Sequence, residues 1–150
     1  MHRQCLHCIS YHHLSHLSTH YNTIQLPFIF PIFGKAAAVL YLSANGGIHV
    51  SNTQPCAGYW GGTNCNLNTS YYNMISAFSV DLNPGKATAA DANITSSYDS
   101  MGKKIEFSWY RLPFFGNDSF ESSFRASLYD DGKVTYYYDE QMDPYFELVE

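Results

Sequence analysis

Two adjacent carboxylates, Asp130 and Asp131, form the most conspicuous acidic cluster of the sequence, within the stretch SLYDDGKVTYYY. Paired carboxylates can serve as general acid and base, but that chemistry needs a raised pKa, which burial or a close like charge supplies. Alternating apolar residues flank the pair, and Asp131-Gly132 is among the strongest short-range hairpin signals. We therefore predict that Asp131 and Gly132 form a hairpin turn. Acids at a solvated loop tip gain nothing from desolvation, so the pair should lack the raised pKa that general-acid catalysis requires.

Cysteine and histidine are concentrated near the start of the chain. Six of the seven histidines lie in the first twenty residues, together with Cys5 and Cys8, which have the spacing of a zinc knuckle. A zinc finger separates its cysteine pair from its histidine pair by ~12 residues, whereas His12 follows Cys8 by four positions. We therefore expect no metal site and a poorly ordered leader over residues 1–26. Whether Cys5 and Cys8 pair with each other or bind a metal stays open.

Two features indicate an oxidising, secretory environment. Cys56 and Cys65 bracket a Gly-rich loop, and a disulfide between them would close ~10 residues and contribute about 2.7 kcal/mol. We predict that disulfide, although the spacing also allows two reduced cysteines. Three N-glycosylation sequons begin at Asn68, Asn93 and Asn117, in stretches predicted to be loops or strand ends.

No catalytic constellation is apparent in the sequence. There is no G-x-S-x-G nucleophile elbow, and His49, the one histidine after the leader, is predicted to face solvent or a loop. Glu106 and Glu121 are predicted on the outer surface, and a retaining glycosidase would need two such carboxyls ~5–5.5 Å apart. Outward acids on a sandwich usually serve solvation alone, so we predict that the chain is not an enzyme and uses no cofactor.

Aromatic residues at predicted loop or outward positions favour a binding role. We predict that Tyr59, Trp60 and Tyr137 are ligand contacts, because exposed rings suit contact with sugars or partner proteins. Ordinary cross-strand packing is the alternative for the run of three tyrosines at residues 136–138.

The composition indicates one domain rich in β-strands. The chain has 150 residues, 17% aromatic and only 14% charged, which suits pleated surfaces better than long surface helices. A net charge of −5 with only 8 Lys plus Arg gives no basic stripe for nucleic acid. The longest apolar stretch, IQLPFIFPIF, is far below the ~20 residues of a membrane span and contains two prolines, so we expect no direct membrane insertion.

Short alternating runs separated by turns begin after residue 26. Ile105, Phe107 and Trp109 alternate with polar residues in the cleanest inside-outside pattern, which predicts a central strand. The other residues predicted to face the core are Ala38, Leu40, Leu42, Met74, Phe78, Val80, Phe120, Phe124, Ala126, Leu128 and Val134. The predicted fold is all-β, an antiparallel two-sheet β-sandwich with short loops over residues 27–150.

Five motifs in a fixed order carry a resemblance to a known family. They are FPIFGK (residues 30–35), LYLSANGGIHV (40–50), NMISAFSVDLNPG (73–85), IEFSWYRLPFFG (105–116) and SFRASLYDDGKVTYYY (123–138). This order, over roughly three quarters of the chain, resembles the extracellular β-sandwich module of nidogen-like and plexin-domain-containing proteins. Residues 79–80 and 123–125 depart from it, since the family commonly has Trp-Asp and a Phe-Gln pair there.

The resemblance implies a location and a role, and it carries no catalytic signature. We expect a non-enzymatic extracellular or cell-surface module, cut from a larger and membrane-associated protein, that serves matrix or adhesion architecture. Its expected partner is an extracellular protein or glycan. The alternative is a carbohydrate-binding β-sandwich module, or the accessory domain of a secreted hydrolase.

Overall fold

Nine β-strands form the part of the chain that the structure describes. The structure is a computed structural model, and it describes residues 9–11, 21–32, 34–50, 74–78 and 80–139. In chain order the strands are β1 (Ile9–Tyr11), β2 (Tyr21–Ile32), β3 (Lys35–Ser43), β4 (Gly47–Val50), β5 (Met74–Ser76), β6 (Asn93–Asp99), β7 (Lys104–Phe114), β8 (Asn117–Tyr129) and β9 (Val134–Tyr138). Within the same residues, one short 3-10 helix spans Pro84–Lys86.

The strands form two antiparallel sheets. One sheet has five strands in the order β1-β6-β7-β8-β9, and the other has four in the order β2-β3-β4-β5. The predicted all-β sandwich of two antiparallel sheets is thereby confirmed. The prediction of a central strand is confirmed as well, because β7 is the middle strand of the larger sheet.

The core between the sheets is centred on Trp109. Ile105, Phe107 and Trp109 are all buried, as their alternation predicted. The ring of Trp109 stacks on Phe124 with a centroid distance of 4.9 Å and an interplanar angle of 16°. Its indole N–H donates to the carbonyl oxygen of Ser43 at 3.0 Å. Because Ser43 ends β3, this bond gives the buried indole its partner and joins the two sheets.

Strand β2 begins within the segment that the sequence assigned to the leader. Its first five residues, 21–25, pair in register with residues 39–43 of β3. Ile24 and Leu26 are buried, since they alternate with polar residues and point to the core. Strand β1 pairs with β6 at the edge of the larger sheet. Residues 1–8 and 12–20 of the predicted leader, including both cysteines, lie outside the described residues.

Strand β5 turns a different set of residues to the core than the sequence predicted. Met74, Phe78 and Val80 were expected to share the inward face, but Ile75 and Ala77 are the buried residues. That prediction was wrong because Ile75 lies opposite the buried Ile48 of β4, which turns residues 75 and 77 inward and residues 74 and 76 outward. Phe78 and Val80 are partly buried at the margin of the core.

A bulge in β7 shifts its register against β8. Trp109 pairs with Phe124 and Leu112 pairs with Ser122, so β7 has one more residue than β8 between these pairs. Arg111 in the bulge has a φ of 53°, in the left-handed region. Leu112 is therefore buried, although simple alternation from Trp109 would turn residue 111 inward.

Phe120 is exposed, contrary to the prediction that it faces the core. It is 41% exposed, at the end of β8 that adjoins the β7–β8 turn. Asn117 and Glu121 pair with consecutive residues of β7, so residues 118–120 between them have no partner there. The prediction was wrong because this segment leaves the ladder, which a regular alternation does not reveal.

Candidate binding surface on the five-stranded sheet

Outward side chains of four strands meet in a cross-strand row on the five-stranded sheet. Thr95 lies opposite Ser108, Ser108 opposite Arg125, and Arg125 opposite Tyr137. Successive side chains of a strand point to opposite faces, and the neighbouring Trp109 is buried in the core. We call Thr95, Ser108, Arg125 and Tyr137, which point away from the core, the outer row.

Arg125 is held between an aromatic ring and a carboxylate. Its guanidinium carbon lies 4.3 Å from the ring centroid of Tyr137, a cation-π distance. Its Nη1 lies 3.5 Å from Oε1 of Glu106. The other carboxylate oxygen of Glu106 accepts the hydroxyl of Ser127 at 3.2 Å. Ser127 is buried beneath these contacts.

A shallow cleft of about 360 Å³ lies beside this pair. Its lining combines two serines, an arginine, an aspartate and two tyrosines with two core aromatic residues: Ser108, Trp109, Tyr110, Ser123, Phe124, Arg125, Tyr137 and Asp139. Tyr137 is 56% exposed and Tyr110 is 39% exposed. The cleft therefore offers rings for stacking, together with donors and acceptors for a polar ligand.

The two outward glutamates do not form a hydrolytic pair. Glu106 of β7 lies opposite Ser127 of β8, and Glu121 lies on β8 six residues away from Ser127. At ~3.4 Å per residue the two side chains are rooted about 20 Å apart, against ~5–5.5 Å between the carboxyls of a retaining glycosidase. Glu121 instead accepts from Nε of Arg111 at 2.8 Å, while Nη1 of Arg111 contacts Asp91 at 3.1 Å. The hydrogen bond that Arg111 donates to the Glu121 carboxylate raises the pKa of Arg111.

His49 is buried, although the sequence predicted that it faces solvent or a loop. It lies on β4 between Tyr41 of β3 and Met74 of β5, and its side chain is 8% exposed. Burial lowers the pKa of His49 to about 4 because it removes the solvation of the charged imidazolium. The residue belongs to the smaller sheet, so it does not contribute to the cleft.

Asn45 is the main residue that sequence reasoning missed. It is 4% exposed in the turn between β3 and β4, although asparagine in a turn usually faces water. Its Oδ1 accepts the backbone N–H of Leu82 at 2.9 Å, and its Nδ2 lies 3.4 Å from Oδ1 of Asp81. The next residue, Gly46, accepts the N–H of Ala77 through its carbonyl. The turn at residues 45–46 is thus bonded to residues 77 and 81–82, which belong to another of the five motifs.

The turn between β8 and β9 contains Asp131 and Gly132. Oδ1 of Asp131 accepts the N–H of Lys133 at 2.9 Å, and Gly132 has a φ of 89°. Asp130 contacts Lys103 of the neighbouring turn at 3.6 Å. One carboxylate is therefore occupied by the turn, and the other by an exposed ion pair.

Several predicted site residues fall in the segment between β4 and β5. Cys56, Cys65, Asn68, Tyr59 and Trp60 lie outside the described residues, so their disulfide, glycan and contact roles stay predictions. Among the residues that the structure describes, no three His, Cys, Asp or Glu side chains come together as a metal site. In the same residues, no helix is long and apolar enough to cross a bilayer.

The comparisons with known proteins place the chain in a family. A family model described as NIDO related matches residues 11–147, a span that includes every strand from β2 to β9. No curated protein and no solved structure matches the chain significantly. The chain therefore belongs to the NIDO-related family and is a nidogen-like β-sandwich module.

Proposed function

We propose that this nidogen-like module is a non-enzymatic building block of an extracellular or cell-surface protein, serving matrix or adhesion architecture. Its family supports the location, because nidogen-like domains are typically extracellular. The predicted disulfide between Cys56 and Cys65 and the three sequons agree with passage through a secretory pathway. In this account the module contacts a protein partner through the outer row.

The observation that carries the binding role is the exposed pair of Arg125 and Tyr137. Arginine and tyrosine are enriched among the residues that dominate interface energies. The cation-π contact and the Glu106 carboxylate already hold Arg125 in place, so less side-chain freedom is lost on binding. The outer row thus presents an ordered anchor with a polar rim.

The lining of the cleft supports a binding role over a catalytic one. Ser108 and Ser123 supply hydroxyls, but among the described residues that line the cleft there is no histidine that could act as their base. His49 lies on the other sheet, and Glu106 and Glu121 are too far apart for a glycosidase.

Binding of the full chain to a panel of purified extracellular-matrix proteins tests the proposal. We expect the wild type to bind a panel member, and Tyr137→Ala and Arg125→Ala each to weaken binding at least about tenfold, as hot-spot residues do. Met101→Ala is the matched control, because Met101 is 95% exposed in the turn between β6 and β7. Equal affinity of all four proteins would exclude the outer row, and a wild type that binds no panel member would count against the matrix role.

Carbohydrate recognition is the second candidate, and the cleft favours it. Sugars stack their C–H faces on aromatic rings while their hydroxyl groups bond with polar side chains, and the lining offers both through Tyr110, Tyr137 and Asp139. A glycan array separates the two candidates. A glycan bound by the wild type and lost in Tyr137→Ala would favour this reading, whereas an empty array would remove it. Trp60→Ala on the same array tests the predicted contact outside the described residues.

A further inference from the structure

We infer that Asn117 carries an N-linked glycan and that the ring of Phe115 covers the first sugar of that glycan. The inference rests on the proposed extracellular location, because N-glycans are attached in the secretory pathway. It goes further by singling out one of the three sequons and by giving the glycan a contact on the protein.

The sequon Asn117-Asp118-Ser119 lies at an open end of the fold. Asn117 pairs with Phe114 across the two-residue turn between β7 and β8, and residues 118–120 have no partner on β7. All three sequon residues are exposed. Within the described part of the chain, the Asn117 side chain makes no hydrogen bond, so a glycan on its Nδ2 displaces no contact seen there.

The sequon at Asn93 lies in a more crowded place. Asn93 is half-buried in β6 opposite Tyr110, and its Nδ2 donates to the carbonyl oxygen of Asp91 at 2.9 Å. The carboxylate of Asp91 also binds Arg111. A glycan on Asn93 would take one of the two Nδ2 protons and bring a bulky sugar against this network. The folded structure therefore accommodates a glycan at Asn117 far better than one at Asn93.

Phe115 is an exposed apolar ring beside the attachment point. It is 60% exposed, and it precedes Asn117 by two positions. Its backbone N–H donates to the carbonyl oxygen of Asp81 at 2.7 Å, which anchors the turn to the body of the module. The C–H face of a pyranose ring packs on an aromatic face, so the first sugar would remove apolar surface from water. Phe120, also exposed, follows Asn117 by three positions, in the segment that has no partner on β7, and it serves as the comparison ring.

The attachment reaction needs a donor that the secretory pathway supplies, an oligosaccharide linked to a lipid through a diphosphate. The bond from sugar C1 to the diphosphate oxygen breaks, and a bond forms between that C1 and Nδ2 of Asn117. The lipid diphosphate leaves, and Nδ2 gives up one proton to the transferase. Ser119 supplies the hydroxyl that the sequon requires at its third position.

In-vitro translation with rough microsomes tests the attachment site. The full chain, placed behind a cleavable signal peptide, is compared with its Asn117→Gln and Asn93→Gln variants, and glycopeptides are identified by mass spectrometry. We expect Asn117→Gln to lose one glycan and Asn93→Gln to keep the wild-type pattern. An unmodified Asn117 in the wild type would overturn the inference and leave the proposed function standing. A natural protein confined to the cytosol would overturn the proposed function, whatever the microsomes show.

A double-mutant cycle tests the contact with Phe115. With both proteins made in secretory cells, the wild type should melt about 2–4 °C above Asn117→Gln, the shift that ~1 kcal/mol produces in a domain of this size. That difference should vanish in the Phe115→Ala background and persist with Phe120→Ala, the matched control. Phe115→Leu, which keeps apolar bulk without a ring, serves if Phe115→Ala folds poorly. A glycan effect that is the same with and without the ring would overturn the contact.

Discussion

The side-chain oxygen of Asn45 accepts the backbone N–H of Leu82 at 2.9 Å, and this bond joins the two sheets. Asn45 lies in the turn between β3 and β4, whereas Leu82 forms an isolated bridge with Phe114 of β7. Both Asn45 and Leu82 are buried. Because a buried N–H without a partner costs far more than one exposed to water, the fold depends on a side-chain acceptor at this position.

Replacing Asn45 by Ala should destabilise the module by ~1–3 kcal/mol, since it leaves the Leu82 N–H buried and unpaired. Urea denaturation of the unglycosylated protein measures the change in the free energy of unfolding. Asn117→Ala, at an exposed asparagine, should change it by less than about 0.5 kcal/mol. Similar values for the two variants would contradict the role given to Asn45.

Gly46→Ala should be among the most damaging single substitutions in the chain. Gly46 has a φ of 83°, and an added Cβ would lie only 2.0 Å from the carbonyl oxygen of Phe78. Gly34→Ala is the matched control, because Gly34 has a φ of 73° but open space around it. We expect ~1 kcal/mol of backbone strain in the control and a further ~1–3 kcal/mol or more from the clash at Gly46. If thermal denaturation showed equal losses of stability in Gly46→Ala and Gly34→Ala, backbone strain alone would account for both and the clash with Phe78 would be contradicted.

The turn between β8 and β9 should tolerate loss of a charge but not gain of a side chain. Gly132→Val combines a φ of 89° with a Cβ position 3.0 Å from Cγ of Pro31, so we expect a loss of ~1–3 kcal/mol or more. Asp130→Asn removes only an exposed ion pair with Lys103 and should cost less than about 1 kcal/mol. If Asp130→Asn were the more damaging of the two in urea denaturation, the carboxylate would need another role.

His49 should make the module less stable as the pH falls from about 6.5 to about 4. Its pKa is about 4 in the fold and 6.5 when unfolded, so between these values the unfolded chain binds a proton that the folded chain does not. The contribution of neutral His49 to the free energy of unfolding is therefore fully present above pH 6.5. It is lost as the pH falls to about 4, and its size is on the order of 3 kcal/mol. Urea denaturation as a function of pH should show a flatter dependence for His49→Gln in this window. Parallel curves for the two proteins would contradict a neutral, buried imidazole.

Local periodicity predicted much of the fold, because alternation shows directly which face of a strand is apolar. Ile105, Phe107 and Trp109 occupy the core for that reason, and β7 is central as predicted. The bulge at Arg111 was not predictable, since its one extra residue is visible only in the pairing with β8.

The buried polar residues were missed for a different reason. Asn45 and His49 carry side chains that usually face water, and nothing nearby in sequence marks them as buried. Their burial depends on contacts with distant segments, such as that of Asn45 with residues 81–82. The outer row was predicted only through Tyr137, because its neighbour Arg125 joins the site through the cross-strand register.

Surface detection of the natural protein tests the central claim most directly. An antibody raised against this module, applied to intact cells and to their medium, reports whether the domain lies outside the membrane. The proposed extracellular role predicts staining of unpermeabilised cells or recovery from the medium or matrix, with loss of the cell-surface signal after mild protease treatment. Staining that appears only after permeabilisation, with the protein in the cytosolic fraction, would contradict it.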